Sequence, residues 1–117
     1  HHQGDPVKLE KLVKIQQYHT GVLKKFLDRL AATADGEGSL LDHSIIVYGS
    51  KMSNSNAHNQ FPLPMAVVGH GCGKIKGGQH LRYPNHTPLS NLLLTVLNRA
   101  GVKQDKLGDD SGTFAEL

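Results

Sequence analysis

The sequence predicts an α/β fold in which a few mostly parallel strands are flanked by one long and one shorter helix. Three observations carry this reading. A helical apolar stripe runs from Asp5 to about Ala32. Short apolar, β-branched runs follow at Ser44–Gly49 and Pro64–Val68. A second amphipathic helix begins at Thr87-Pro88. A helix followed by buried strands and a closing helix is the order of a layered α/β architecture.

The first helix has a strong start signal, because Asp5 supplies an N-cap oxygen and Pro6 stands at the first helical position. Leu12, Ile15, His19, Val22, Leu23, Phe26, Leu27 and Leu30 recur at helical spacing, with Lys8, Lys11, Lys14, Gln17, Lys25 and Asp28 on the other side. A helix of this length spans roughly 40 Å and needs a broad partner surface such as a sheet. Leu23, Phe26 and Leu30 are therefore expected to be buried against one. Thr33-Ala34-Asp35-Gly36 ends the helix, and a polar turn from Asp35 to Ser39 leads through Leu40-Leu41-Asp42-His43 into the first strand.

The run Ser44-Ile45-Ile46-Val47-Tyr48-Gly49 reads as a strand buried on both faces. A Ser- and Asn-rich loop from Ser50 to Gln60 separates it from the second strand. Gly69 to Gly78 invites a phosphate-loop reading, but Gly69-x-x-x-Gly73-Lys74 is one residue short, and Ile75 stands where Ser or Thr is required. A turn or hairpin leading to a short strand near Gln79–Tyr83 is the better expectation. In the last helix Thr87 caps, Pro88 opens, and Leu89, Leu92, Leu93, Val96, Leu97 and Ala100 form the apolar stripe, with Gly101 placed to stop it. Residues 103–117 are polar and are expected to lie loosely on the surface.

With 117 residues the chain is long enough for one domain and too short for two. Its 38% hydrophobic and 20% charged content is that of an ordinary soluble globular protein. With three Phe, three Tyr and no Trp, the core has to be built from Leu, Val and Ile. The net charge of +3 is a small excess, and the lysines are spread over a helix and a Gly-rich loop. A nucleic-acid binder concentrates cations in a stripe with stacking aromatics, so nucleic acid is not an expected partner. No apolar run approaches the roughly 20 residues of a membrane span. Cys72 is a single thiol, which can form neither an internal disulfide nor a cysteine-based zinc site. The chain starts at His1 rather than Met, so the lack of a signal peptide carries no information.

Eight histidines is many for this length. His58 lies among small polar residues after an apolar strand, where α/β folds place ligands. It reads either as a metal or oxyanion contact or as part of a surface loop whose Asn and Ser satisfy turn geometry. His1 and His2 read either as metal ligands or proton carriers, or as a frayed terminus or tag remnant. His19, on the apolar face of the first helix, reads as a core histidine and His43 as structural, while His70, His80 and His86 read as surface residues.

An ordered set of stretches resembles one family. It comprises His1-His2-Gln3-Gly4-Asp5-Pro6 with Lys8-Leu9-Glu10-Lys11-Leu12, Tyr18-His19, and Ser39-Leu40-Leu41-Asp42-His43-Ser44. It continues with Tyr48-Gly49-Ser50-Lys51-Met52-Ser53, then Asn54, Asn56 and His58, Gly77-Gly78-Gln79-His80-Leu81-Arg82-Tyr83-Pro84, and Thr87 to Thr95. Together these resemble the C-terminal part of the HXXSHH-motif family, a domain of unknown function, over nearly the whole chain. The resemblance implies that His1-His2 are native and close the name-giving motif. It also implies that residues 1–117 are the C-terminal part of a larger domain.

That family distantly resembles the alkaline-phosphatase and sulfatase superfamily. The likeness implies a fragment of a three-layer fold, a periplasmic or secreted bacterial setting, and a divalent metal, zinc or calcium, in the full-length protein. It implies hydrolysis of phosphate or sulfate esters, with a non-catalytic binding or structural module as the competing reading. The superfamily's metal-binding Asp-His pair falls near Lys51-Met52, which cannot serve as such ligands. Lys51 reads as a contact to an anionic group or as a solvated lysine. The implied site residues are His1 and His2 as catalytic groups, Lys51, Ser53, Asn54 and Asn56 as substrate contacts, and His58 as a metal ligand. The implied partner is the remainder of the same polypeptide or another copy, meeting this chain through exposed apolar surface.

Overall fold

A computed structural model describes all 117 residues. Helix α1 (Pro6–Ala32) is followed by β1 (Ala34–Asp35), β2 (Gly38–Ser39), the short α2 (Leu40–His43), β3 (Ile46–Gly49), β4 (Met65–Val68) and α3 (Leu89–Arg99). The start of α1 is where Asp5-Pro6 places it. The Asp5 carboxylate accepts from the backbone N–H groups of Val7 at 2.8 Å and Lys8 at 3.3 Å.

The mostly parallel sheet expected from the sequence, and with it the three-layer fold implied by the resemblance, is not what forms. There are two separate two-stranded sheets, both antiparallel. The connections explain the difference. A parallel pair needs a crossover, usually a helix, whereas antiparallel strands can be joined directly. β1 and β2 are joined by a tight turn in which Gly36 has φ +57°. Between β3 and β4 lies only the Ser-, Asn- and Pro-rich segment Ser50–Pro64, which contains no helix, so β4 returns beside β3 with Ile46 opposite Val68 and Gly49 opposite Met65. β3 is half-buried at Ile46 and Val47 and exposed at Tyr48 and Gly49, not buried on both faces. Gln79–Tyr83 forms no strand.

The Gly69–Ile75 turn docks on the C-terminal end of α2. Carbonyls there accept N–H bonds from the turn: Leu41 from His70 at 3.3 Å, Asp42 from Cys72 at 2.9 Å, and Ser44 from Gly71 at 3.0 Å. These bonds satisfy carbonyls that a helix end leaves without partners. The close approach requires glycine. At Gly69, with φ +97°, a Cβ would collide with the Ser44 carbonyl oxygen, and at Gly71, with φ +51°, it would stand 2.7 Å from Ile45. The glycine richness thus serves backbone docking.

The core is small. Six of 117 residues are buried, among them Ile75 and, on α3, Asn91, Leu92, Leu94 and Thr95. The buried face of α3 only partly matches the expected stripe: Leu92 is buried and Val96 and Leu97 are half-buried, whereas Leu89 and Leu93 are exposed and Asn91, Leu94 and Thr95 are buried in their place. The C-terminal segment accounts for this. Residues 103–117, expected to lie loosely, run along α3. Ser111 donates its N–H to Asn91 Oδ1 at 2.9 Å, Phe114 donates its N–H to Thr95 Oγ1 at 2.8 Å, and Ser90 donates to Asp109 at 2.6 Å. Phe114 also stacks on Tyr83 with ring centres 3.9 Å apart. The buried polar atoms of α3 are thereby satisfied, which is the condition for burying them. Thr87 does not cap the helix; its hydroxyl donates to the Pro84 carbonyl, and Pro88 is the N-cap. The C-terminus follows the Schellman pattern, with Gly101 N–H donating to the Asn98 carbonyl and Val102 N–H to that of Leu97.

Helix α1 has no buried residue. Among the helices and strands it packs chiefly on α2 and β2, and Leu23, Leu27 and Leu30 are half-buried. Phe26, expected against a sheet, is 48% exposed because no sheet extends beneath it. No helix is long and apolar enough to cross a membrane.

This distribution sets the stability response to truncation. Leu94→Ala, at a side chain 2% exposed, is expected to cost about 2–5 kcal/mol in chemical denaturation. Phe26→Ala is expected to cost about 1 kcal/mol or less. Equal losses at the two positions would show that α1 is packed as tightly as α3.

Candidate functional site

The loop after β3 is shaped by its own short polar side chains. The Ser50 hydroxyl accepts from Met52 N–H at 3.2 Å. Asn54 Oδ1 accepts from the N–H groups of Asn56 at 2.9 Å and Ala57 at 3.1 Å, and Asn59 Oδ1 accepts from Phe61 N–H at 2.8 Å. These are Asx- and Ser-type turns, in which a side chain replaces the backbone acceptor. Asn54 and Asn59 also pair through their backbones, and Ser53 donates its N–H to the Asn59 carbonyl at 2.8 Å. The strap is thus closed at its base, and it carries Asn56 and His58 at its tip.

The tip meets the N-terminal segment. Gln3 donates its backbone N–H to Asn56 Oδ1 at 2.8 Å, joining positions 53 residues apart. The His1 ring lies with its centre 4.6 Å from that of His58. The His2 Nδ1 accepts from Gly4 N–H at 3.1 Å. Gln3 and His58 both hold φ of +51°, a left-handed conformation uncommon for residues other than glycine. Such strain persists where surrounding bonds over-determine it, and it clusters at functional sites.

Of the residues singled out in the sequence, His1, Asn56 and His58 are brought together here, with His2 adjacent in the chain. Asn54 is a scaffold of the turn, since its side-chain oxygen is committed to Asn56 and Ala57. Ser53 participates through its backbone. Lys51 is exposed at the start of the loop and forms no ion pair.

A divalent metal asks for several anionic or imidazole ligands at one point. Where the resemblance expects an Asp-His pair, the residues are Lys51 and Met52, and no group of three or more His, Cys, Asp or Glu is placed to hold an ion. The residues present do not fit a zinc or calcium site.

A second polar cluster went unnoticed in the sequence. Asp42 Oδ1 pairs with His70 Nδ1 at 2.9 Å, and Asp35 Oδ2 with His43 Nδ1 at 2.7 Å. Asp42, His43 and His70 line an open hollow of about 380 Å³ together with Glu37, Cys72 and Ile75. Asp42 is also the N3 member of a capping box with Ser39, whose N–H donates to Asp42 Oδ2 at 2.8 Å and whose hydroxyl donates to it at 2.7 Å. The Ser-x-x-Asp spacing of that box is visible in the sequence. Its pairing with His70, 28 residues away, has no local signal. His70, read as a surface residue, is thus half of a side-chain tie between α2 and the Gly-rich turn.

The Ser39 hydroxyl, then its N–H, then the His70 ring hold the Asp42 carboxyl below the usual carboxylate range, against a smaller opposing effect of desolvation. A lowered folded-state pKa means that the ionised carboxylate favours the fold. Its contribution is fully present above the unfolded pKa and is lost as pH falls through the folded one. Ser39→Ala removes the largest cause, so the Asp42 carboxyl, followed by carbon NMR, is expected to titrate at higher pH in that variant. An unmoved titration would remove Ser39 as the cause.

No family model matches the chain, and no curated protein or solved structure matches it.

Proposed function

We propose that the His1–Asn56–His58 cluster is an oxyanion-contact surface serving the hydrolysis of phosphate or sulfate esters. The observation that carries this reading is the bond from Gln3 N–H to Asn56 Oδ1, which ties the N-terminal segment to the tip of a polar loop where the tilted His1 and His58 rings lie with centres 4.6 Å apart. Imidazole N–H groups and an amide are donors suited to phosphate or sulfate oxygens, and Lys51 adds a cation at the root of the same loop. In ester hydrolysis one imidazole takes the proton of the attacking water, while fixed donors stabilise charge growing on the oxyanion. His1 and His2 are assigned the proton-transfer role, and Lys51, Asn56 and His58 contact the anion. The likeness to the HXXSHH-motif family supports the same assignment. In this reading the remaining catalytic groups, and the cover over the apolar surface of α1, come from the remainder of the polypeptide or from another copy.

A binding module without catalysis is the second reading. It is favoured by Lys51-Met52 standing in place of a carboxylate-imidazole pair and by the lack of any three-ligand cluster.

Titration with inorganic phosphate, followed by imidazole NMR, tests the site. The His1 and His58 ring signals are expected to move together and saturate. His58→Ala is expected to weaken binding about tenfold, the equivalent of roughly 1.4 kcal/mol for one charge-assisted hydrogen bond. Hydrolysis of an aryl phosphate ester above the buffer rate favours the enzyme, and saturable binding without turnover favours the module. Shifts spread evenly over all eight histidines, or none, would contradict both.

A further inference from the structure

Helix α1 turns one side to the rest of the chain. Its half-buried residues Leu12, Leu23, Leu27 and Leu30 mark that direction, and at 3.6 residues per turn they occupy an arc of about 60°. A second arc of about 100° is centred roughly 120° around the helix from the first. Its cations are Lys8, Lys11, Lys25 and Arg29, all exposed. Its other members are apolar or aromatic, namely Val7, Ile15, Tyr18, Val22 and Phe26, and all of them are exposed too.

This stripe contains no carboxylate. The two acids of the helix, Glu10 and Asp28, lie outside it and pair with Lys14 and Lys24 at 2.6 Å each. No ion pair engages the four cations of the stripe. Along the axis Lys8 and Lys11 stand at one end, Lys25 and Arg29 at the other, and Ile15, Tyr18 and Val22 between them. Tyr18, at the centre, is 70% exposed.

The charge pattern selects the occupant. A second copy is disfavoured, because antiparallel stripes set Lys8 and Lys11 against Lys25 and Arg29, and parallel ones set each cation against itself. An apolar protein cover would take four cations out of water without counter-charge. An acidic protein would have to match carboxylates to both ends and apolar groups to the middle in register. A nucleic-acid duplex supplies phosphates but no apolar layer for Ile15, Val22 and Phe26. An anionic lipid surface supplies both kinds of partner along the whole stripe, which runs in one line for roughly 33 Å. Lysine and arginine stems rise along the apolar boundary to the headgroups, and a tyrosine ring sits at headgroup level. Such a helix lies in the interface plane and needs no membrane-spanning segment.

We infer that this stripe docks α1, lying flat, on an anionic lipid surface. The inference rests on none of the residues of the His1–His58 cluster, so either can fail without the other. The cover that the hydrolytic reading leaves to the remainder of the polypeptide or to another copy then falls on the side of α1 that carries Leu9 and Val13, which are also exposed.

Flotation with vesicles of phosphatidylcholine and phosphatidylserine in equal parts is expected to carry the whole chain, and pure phosphatidylcholine vesicles are expected to leave it behind. Binding should weaken as salt rises, because screening shortens the reach of the cations. Each cation near an anionic surface strengthens binding about fivefold, so Lys11→Glu with Lys25→Glu should weaken it by at least about tenfold. Lys103→Glu with Lys106→Glu changes the net charge equally, away from α1, and should cost far less. All four lysines are exposed and outside the ion pairs, so both variants keep the fold, which circular dichroism checks. The chain has no Trp, so Tyr18→Trp places a single reporter at the centre of the stripe. Its emission is expected to shift to the blue on the mixed vesicles. Equal binding to pure phosphatidylcholine, equal losses in the two lysine pairs, or an unshifted emission overturns the inference. Absence of vesicle binding overturns it as well; polyglutamate or duplex DNA taken up by the same face would then assign the stripe to a protein or nucleic-acid partner.

Discussion

The constraint behind this structure is its scarcity of core. With six buried residues, hydrophobic burial cannot by itself fix where the elements lie. Hydrogen bonds between side chains and backbone take over the positioning. Each such bond contributes only about 1 kcal/mol net. They are directional, however, and here they recur at several junctions. Asp5 starts α1, Ser39 and Asp42 start α2, Asn54 and Asn59 shape the strap, and Asn91 and Thr95 hold the C-terminal segment on α3.

Asp42 shows how one residue can serve several levels. Its carboxylate closes the capping box and pairs with His70, while its carbonyl accepts the N–H of Cys72. The turn from Gly69 to Ile75 is thereby fixed to α2, and the turn directly follows β4, the partner of β3. β3 in turn opens the loop that carries Asn56 and His58. The candidate site therefore depends on contacts some distance from it. Glycine at positions 69 and 71 is part of the same chain of dependence, because a side chain at either would push the turn off the α2 carbonyls.

Local signals in the sequence were legible and long-range ones were not. Asp5-Pro6 with an apolar period of 3.6 defined α1, and the β-branched runs located β3 and β4 to within a residue or two. The sense of their pairing is not legible locally, because it depends on the Ser50–Pro64 connection, and an apolar β-branched run does not by itself distinguish a buried parallel strand from a short antiparallel one. The buried face of α3 was legible at Leu92, Val96 and Leu97 and not at its edges, for a related reason. Leu89 and Leu93 look like core in isolation, but the helix turns Asn91 and Thr95 inward to bond residues 19 or 20 positions away. In the site, His1, Asn56 and His58 could be singled out by residue type and by their place in the N-terminal segment and the loop after β3. The bond that joins Gln3 to Asn56 could not be, since no periodicity or spacing connects them. The Asp42–His70 and Asp35–His43 pairs escaped notice because each histidine, taken singly, is an ordinary surface residue.

The central claim is that a single side-chain-to-backbone bond assembles the site by tying the N-terminal segment to the strap. The most direct measurement is the NOE between the ring protons of His1 and His58, recorded for the chain and for Asn56→Ala. A ring separation of 4.6 Å predicts strong cross-peaks in the chain. Loss of the acceptor for Gln3 N–H predicts their disappearance in the variant, with the Asp42–His70 pairing left intact. Cross-peaks that persist in Asn56→Ala, or that are missing from the unaltered chain, would contradict the account.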